Sequence, residues 1–255
     1  MSNLLALSDK HALSVQQLSV AYRHDDHVLF ALQSATLEVK RGEFVCVVGC
    51  SGSGKTTLLN ILAGLDEPTS GRAHVHGRVA LIFQEAGLLP WLTAAGNVQL
   101  ALELRGVKAF ERKKIAFELL GRVHLAGFEN RRPHELSGGM KQRVAIARAL
   151  AQDADVLLMD EPFGALDAIT RDILHQELER IWRESGLSIL FVTHNPREAV
   201  RLGDRVLVFT SRPGRVAHEV RVDMPRPRSL DSPDLAVIAG RITERLKQEL
   251  LDSGS

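Results

Sequence analysis

The chain is predicted to adopt an α/β fold. A largely parallel sheet is covered by helices, an antiparallel β part precedes it, and a helical segment is inserted into it. Three observations carry this. A glycine-rich run, Gly49-Cys50-Ser51-Gly52-Ser53-Gly54-Lys55-Thr56, lies between a strand pattern and a helix pattern. Three further runs, residues 156–159, 188–192 and 206–209, are apolar without alternation, as strands buried on both faces are. From Leu88 to about Leu150 the apolar positions follow helical spacing and no strand pattern interrupts them.

Between Leu13 and Val39 the pattern is strand-like. Ala35, Leu37 and Val39 alternate with Thr36, Glu38 and Lys40, the mark of a half-buried antiparallel strand. Tyr22, the only tyrosine, reads by itself as a strand-end packing residue. The run Lys40-Arg41-Gly42-Glu43 turns into Phe44-Val45-Cys46-Val47-Val48, a buried strand. After the glycine-rich run a helix is expected from Thr57 to Ala63, stopping at Gly64. Residues 66–71 read as a loop, and residues 79–83 as a buried strand ending at Gln84. In the helical segment Ile115, Phe117, Leu119, Leu120 and Val123 set the period. A later helix, residues 170–185, places Ile173, Leu174, Leu178, Ile181 and Trp182 on one face. Pro213-Gly214 turns the chain before a short strand over residues 215–220. Pro225 and Pro227 stop the sheet, and Ser232-Pro233 opens a last helix. Its stripe of Leu235, Ile238, Ile242, Leu246 and Leu250 is expected to pack on the core.

Composition narrows the class. At 255 residues, with 45% apolar and 25% charged residues, the chain suits a globular protein of one large or two modest domains. A net charge of +1 gives no electrostatic footing for nucleic acid. A disulfide between Cys46 and Cys50 would break the glycine-rich loop, so both are expected as free thiols in a reducing cytoplasm. No apolar run approaches the roughly 20 residues that span a bilayer. The N-terminus has no signal-peptide pattern, so membrane association is expected only through a partner.

The glycine-rich run fits G-x-x-x-x-G-K-[ST]. Its glycines let backbone N–H groups approach phosphate oxygens where a Cβ would obstruct them. The helix that follows adds unpaired N–H groups and the positive end of its dipole. Lys55 can reach the β and γ phosphates, and the Thr56 hydroxyl can ligate Mg²⁺. Further on, Asp160 ends a buried strand, expected to lie beside the phosphate-loop strand, where it can hold a Mg²⁺ shell. Glu161 follows it, placed to take a proton from attacking water. That pair favours hydrolysis over transfer to a bound hydroxyl compound. In Leu136-Ser137-Gly138-Gly139-Met140-Lys141-Gln142-Arg143, Ser137 can cap a helix, and the two glycines free its N-terminus for an anion.

With Ser137-Gly138-Gly139 one short helix upstream of Asp160, the chain resembles the ATP-binding cassette (ABC) ATPases, a family of P-loop NTPases. The resemblance covers nearly the whole chain. Tyr22 matches the aromatic A-loop residue, residues 49–56 Walker A, Gln84 the Q-loop, and residues 136–143 the signature motif. Residues 156–161 match Walker B, Ala165-Leu166-Asp167 the D-loop, and His194 the switch histidine. It implies ATP and Mg²⁺ as ligands and a head-to-tail pair of copies sharing two sites. Gly49, Cys50, Ser51, Gly52, Ser53, Gly54, Lys55, Thr56 and Thr57 would then hold the phosphates while Tyr22 stacks on adenine. Ser137, Gly138 and Gly139 would bind the γ phosphate from the second copy. Glu161 would be the general base, with His194, Gln84 and Asp167 completing the catalytic set. Thr56, Gln84 and Asp160 would hold the metal. Met140 and Asn195 depart from the family's usual glutamine and aspartate.

A single cassette of this length looks like a separate energising subunit of a bacterial importer. Leu88-Leu89-Pro90-Trp91, residues 163–171 and Ser211-Arg212-Pro213-Gly214-Arg215-Val216 resemble the nitrate, sulfonate and taurine importer branch. Residues 222–228 look most like aliphatic sulfonate importers. The branch implies integral membrane permease subunits and, through them, an extracytoplasmic substrate-binding protein, with no nucleic acid partner. The subunit would sit peripherally on the cytoplasmic face of the cell membrane, with Trp91 at the groove for a permease helix. On this reading the ATPase domain covers residues 13–230, with its helical subdomain at about 88–150, and residues 231–255 form a C-terminal helix. Exporter cassettes and soluble cassettes acting on ribosomes or DNA are the alternatives. Soluble cassettes usually carry two cassettes or a long coiled coil, and neither is read here. A GTPase lacks its Asn-Lys-x-Asp base-reading motif.

Overall fold

A computed structural model describes residues 10–24 and 27–252. The N-terminal residues 1–9, residues 25–26 of the polar run after Tyr22, and residues 253–255 of the expected last helix lie outside the described residues. The chain opens with two antiparallel strands, β1 (His11–His24) and β2 (His27–Lys40). β3 (Phe44–Val48) leads through the glycine-rich loop into α1 (Lys55–Leu62), and β4 (Ser70–Val75) and β5 (Val79–Ile82) follow. Three helices come next: α2 (Ala94–Leu104), α3 (Ala109–Arg122) and α4 (Gly138–Ala151). The remainder runs β6 (Val156–Asp160), α5 (Ala168–Ser185), β7 (Ser188–Thr193), α6 (Pro196–Leu202), β8 (Arg205–Phe209), β9 (Val216–Arg221) and α7 (Pro233–Asp252).

Two sheets result. One has the order β2-β1-β4, the other β5-β6-β7-β3-β8-β9. In the second sheet β5, β6, β7, β3 and β8 are all parallel, and β9 closes the edge antiparallel to β8. β3, β6 and β7 are buried at every residue, which their unbroken apolar runs require. Their side chains feed two separate cores. Phe44, Cys46, Val48, Leu157, Met159, Ile189 and Phe191 point into the core shared with α2 to α7. Val45, Val47, Val156, Leu158, Leu190 and Val192 face the core shared with α1 and the β2-β1-β4 sheet. β2 keeps the alternation read from its sequence: Ala35, Leu37 and Val39 are buried, and Thr36, Glu38 and Lys40 are exposed.

The structure corrects several expectations. β6 does not lie beside β3, because β7 runs between them. Asp160 still reaches Thr56, because the Leu58 and Leu59 side chains of α1 share a core with β6 and β7. β5 is an edge strand with Val79 and Leu81 only half-buried, and Phe83 beyond it is 42% exposed. Residues 70–75 form a strand where a loop was expected to run to Gly71. That strand is mostly exposed, so it carries no apolar signature. Ile173 on α5 points outward, 45% exposed. In α7, Leu235, Ala239 and Ile242 join the main core with Ile238 and Leu246 packed against it, whereas Leu250 is half exposed.

Gly54, the residue before α1, holds φ +80°, and a Cβ there would sit 2.4 Å from the Ala31 carbonyl oxygen on β2. Gly54→Ala is therefore expected to lower stability by at least about 1–3 kcal/mol, the cost of the left-handed backbone alone. A urea unfolding midpoint equal to the parent's would contradict that.

Candidate functional site

Five parallel strands deliver their C-terminal ends to one edge of the sheet, where open α/β sheets bind ligands. The phosphate loop leaves β3 there and turns tightly. Gly52 and Gly54 take φ +78° and +80°, and Ser53 N–H donates to the Cys50 carbonyl at 3.2 Å. Lys55 is folded into this loop. Its ammonium donates to the carbonyls of Gly49 at 2.9 Å and Cys50 at 2.7 Å, and to Ser53 Oγ at 3.1 Å. Burial lowers the Lys55 pKa, against which Glu161 and Asp160 push it back up. A cavity of about 330 Å³ opens over the loop, lined by Tyr22, Leu29, Ala31, Ser51, Gly52, Ser53, Gly54, Lys55, Thr56, Thr57, Glu161 and Arg212. Gly49 and Cys50 lie outside that lining, and their carbonyls hold Lys55.

At the next strand ends the carboxylates meet the loop. Thr56 Oγ1 donates to Asp160 Oδ2 at 2.7 Å. Burial raises the Asp160 pKa, opposed by the Thr56 hydrogen bond, and neighbouring Glu161 adds to the rise. Such a crowded pair of carboxylates favours a cation. Among the described residues no group of three or more His, Cys, Asp or Glu side chains could cage a metal. Two hard oxygens suit Mg²⁺, which uses one or two protein ligands and takes the rest from phosphate and water. Glu161 sits at φ +43°, its N–H bonded to the Val192 carbonyl at 2.9 Å. His194 Nδ1 donates to Glu161 Oε2 at 2.7 Å, and the imidazole is largely exposed.

Behind His194 lies a buried polar chain that sequence reading missed. The Thr193 hydroxyl donates to Glu198 Oε2, and His175 Nε2 on α5 donates to Glu198 Oε1 at 2.6 Å. Thr193, His175 and Glu198 are 1%, 1% and 6% exposed. Asn195 N–H donates to Thr193 Oγ1 at 3.1 Å, and Asn195 Oδ1 accepts from Arg197 N–H at 3.0 Å to cap α6. Asn195 thus caps α6 through its amide oxygen.

Of the remaining predicted residues only Tyr22 lines the cavity. Ser137 caps α4 by accepting from Met140 N–H at 3.3 Å. A Cβ on Gly139 would meet Thr170 Cγ2 of α5 at 2.4 Å. Asp167 caps α5, accepting from Thr170 N–H at 2.9 Å. The Gln84 carbonyl accepts from Gln142 Nε2 at 2.8 Å. None of Gln84, Ser137, Gly138, Gly139, Asp167 or His194 lines the cavity. Tyr22 does, 43% exposed, with its hydroxyl donating to Asp66 Oδ2 at 3.0 Å. It lies near the end of β1 as expected, but at the edge of the cavity and not only in packing.

The family described as ABC transporter matches residues 32–164. The chain belongs to the ABC transporter family. It is 49% identical to the nitrate import ATP-binding protein NrtD of Synechocystis over 76% of each chain. It is 42% identical to the aliphatic sulfonates import ATP-binding protein SsuB of Bacillus licheniformis, covering 92% of this chain and 94% of that one. Among solved structures it resembles the dimeric, post-hydrolysis state of the ATP-binding cassette MJ0796 bound to ADP and Pi. There the TM-score is 0.76 at 34% identity, over 84% of this chain and all of that one.

In this ABC ATPase some motif residues therefore line the cavity, Asp160 and His194 bond directly to residues that line it, and Ser137, Gly138, Gly139 and Asp167 sit at the starts of α4 and α5. Arg212, Leu29 and Ala31 also line the cavity without having been predicted. Their only local signal is a turn, Arg212-Pro213-Gly214, and an apolar end of β2. Glu198→Ala would leave His175 and Thr193 buried without their shared acceptor. A loss of about 2–4 kcal/mol is expected in denaturant unfolding, with slower ATP turnover because Thr193 and Asn195 flank His194.

Proposed function

We propose that this chain is the energy-coupling ATPase subunit of a bacterial import complex, binding ATP in the cavity over the phosphate loop. The observation that carries the reading is the convergence of Lys55, Thr56, Asp160 and Glu161 at the ends of β3 and β6, with His194 bonded to Glu161. Lys55, Thr57 and the loop N–H groups would hold the phosphates, with Gly49 and Cys50 shaping the loop, and Tyr22 would stack on adenine. Thr56 and Asp160, with Gln84, would hold Mg²⁺, which neutralises phosphate charge when bound. Glu161 takes the proton of the attacking water while His194 orients it and reaches the γ phosphate.

Ser137, Gly138 and Gly139 start α4 outside the cavity lining, with Ser137 and Gly138 exposed and Gly139 buried against Thr170, which suits a site completed by a second copy arranged head to tail. Asp167, beside Thr170 and hence beside Gly139, would link the two sites. Permease subunits would dock near Trp91, which is 67% exposed on a loop that Asn97 fixes through the Leu89 N–H and carbonyl. On that reading the subunit would sit peripherally on the cytoplasmic face of the cell membrane, with an extracytoplasmic binding protein reached through the permease. Among the described residues no helix is long and apolar enough to cross a membrane. We assign residues 13–230 to the ATPase domain, about 88–150 to its helical subdomain, and 231–255 to a C-terminal segment that carries α7 (Pro233–Asp252).

For cargo we favour aliphatic sulfonates on the tail motif and the full-length similarity to the SsuB relative, with taurine or nitrate as the alternatives. Deletion of the gene should abolish growth on alkanesulfonates as sole sulfur source. Loss confined to taurine or nitrate would reassign the cargo. For the chemistry, Glu161→Gln should keep ATP binding and cut hydrolysis by about 10²–10⁴-fold, the range for removing a general base. Near-normal turnover would remove Glu161 from that role.

A further inference from the structure

The β8–β9 turn, Ser211-Arg212-Pro213-Gly214, is built into the wall of the nucleotide cavity. Gly214 N–H donates to the Ala31 carbonyl at 2.9 Å, and Gln33 N–H donates to the Gly214 carbonyl at 3.1 Å, so the turn is stitched to β2. A Cβ on Gly214 would lie 2.0 Å from the Ser53 carbonyl oxygen, so only glycine lets the turn press on the phosphate loop. The Thr210 hydroxyl donates to the Pro213 carbonyl at 2.7 Å and accepts from Arg215 N–H at 3.0 Å, which holds the turn's shape. On its other side Ser211 Oγ donates to the Glu249 carbonyl at 3.3 Å, in the last turns of α7.

This anchoring leaves Arg212 at the tip, facing the loop. Its Nε donates to the Gly52 carbonyl at a long 3.4 Å, and the side chain lines the same cavity as Lys55, Thr56, Thr57 and Glu161. Among the described residues no carboxylate lies within ion-pair distance of it. Lys55, the cavity's other cation, is turned onto the carbonyls of its own loop. Arg212 is thus an exposed, fork-shaped donor on a rigid mount at a phosphate cradle, and guanidinium geometry matches phosphate oxygens. It comes from the β8 side of β3, whereas Asp160 and His194 come from the β7 and β6 side.

We propose that Arg212 is a direct contact to the phosphate chain of bound ATP, a second cation that closes the cradle on the side away from the metal. The proposal rests on the cavity being the ATP site. Calorimetric titration of the full chain with ATP, ADP and AMP tests it, in the parent, Arg212→Ala and Arg212→Lys. Arg212→Ala should weaken ATP binding about 5–20-fold, as expected for one charge-assisted hydrogen bond at an exposed position. ADP should lose less and AMP least, and Arg212→Lys should recover part of the loss. Unchanged ATP affinity in Arg212→Ala overturns the assignment while leaving the ATP site intact. An equal loss for AMP and ATP overturns it too, because the contact would then lie off the phosphate chain. A parent that binds no ATP overturns the site and this contact together.

Discussion

Everything in this fold depends on a parallel sheet that must hide both of its faces. Strands that are apolar on both faces cannot tolerate water on either. The chain therefore covers one face with α2 to α7 and the other with α1 and a second sheet. Covering crossovers make β5, β6, β7, β3 and β8 run the same way, with β9 antiparallel at the edge. Five C-terminal ends then share one edge, and the phosphate loop, Gln84, Asp160, Thr193 and the Arg212 turn all begin there. The site follows from the hydrophobic effect acting on strand composition, before any residue of the site is considered.

The second constraint is close approach of backbones. The phosphate loop is gripped from β2 through the Ala31 carbonyl at Gly54, and from the β8–β9 turn through Gly214 at Ser53. Neither contact admits a Cβ. Glycine costs entropy in the unfolded chain, and here that cost secures a cradle whose N–H groups hold a fixed direction. A cradle that does not reorganise is what electrostatic stabilisation of a transferring phosphoryl group needs.

Buried polar groups fasten the segment that carries His194 to this frame. Glu198 joins α6 to both α5 and the end of β7. At the other end of α6, Arg228 is 4% exposed and donates to the carbonyls of Val200, Arg201 and Gly203, and also to those of Val222 and Met224. A cation at a helix C-terminus also meets the negative end of its dipole. Burial pushes the guanidinium pKa down to about 10, so it stays charged at neutral pH. Next to it, Arg226 bonds Asp204 at 2.7 Å and stacks 4.5 Å over the Trp182 ring. The proline-rich segment thus serves as a clamp on α6, while His194 at the front of that helix stays largely exposed.

Much of this was legible in the residues alone, wherever the signal was local. The phosphate loop, the buried runs of β3, β6 and β7, and the cap at Ser137 each depend on neighbours within a few positions. Short-range patterns write such features directly. Strand order was not legible: nothing in the apolar runs says that β7 separates β3 from β6, because both faces of each strand look alike. β4 escaped notice because an exposed edge strand needs no apolar alternation. His175 and Glu198 are 23 positions apart, and Arg212 is 160 positions from Gly52, so only folding could reveal those pairs. The amino-acid sequence by itself determined a phosphate-loop motif between a strand and a helix, and two adjacent carboxylates at the end of a buried strand. The tertiary structure alone decided which surfaces meet there, since contact between distant segments is set by the packing of two cores and not by spacing along the chain.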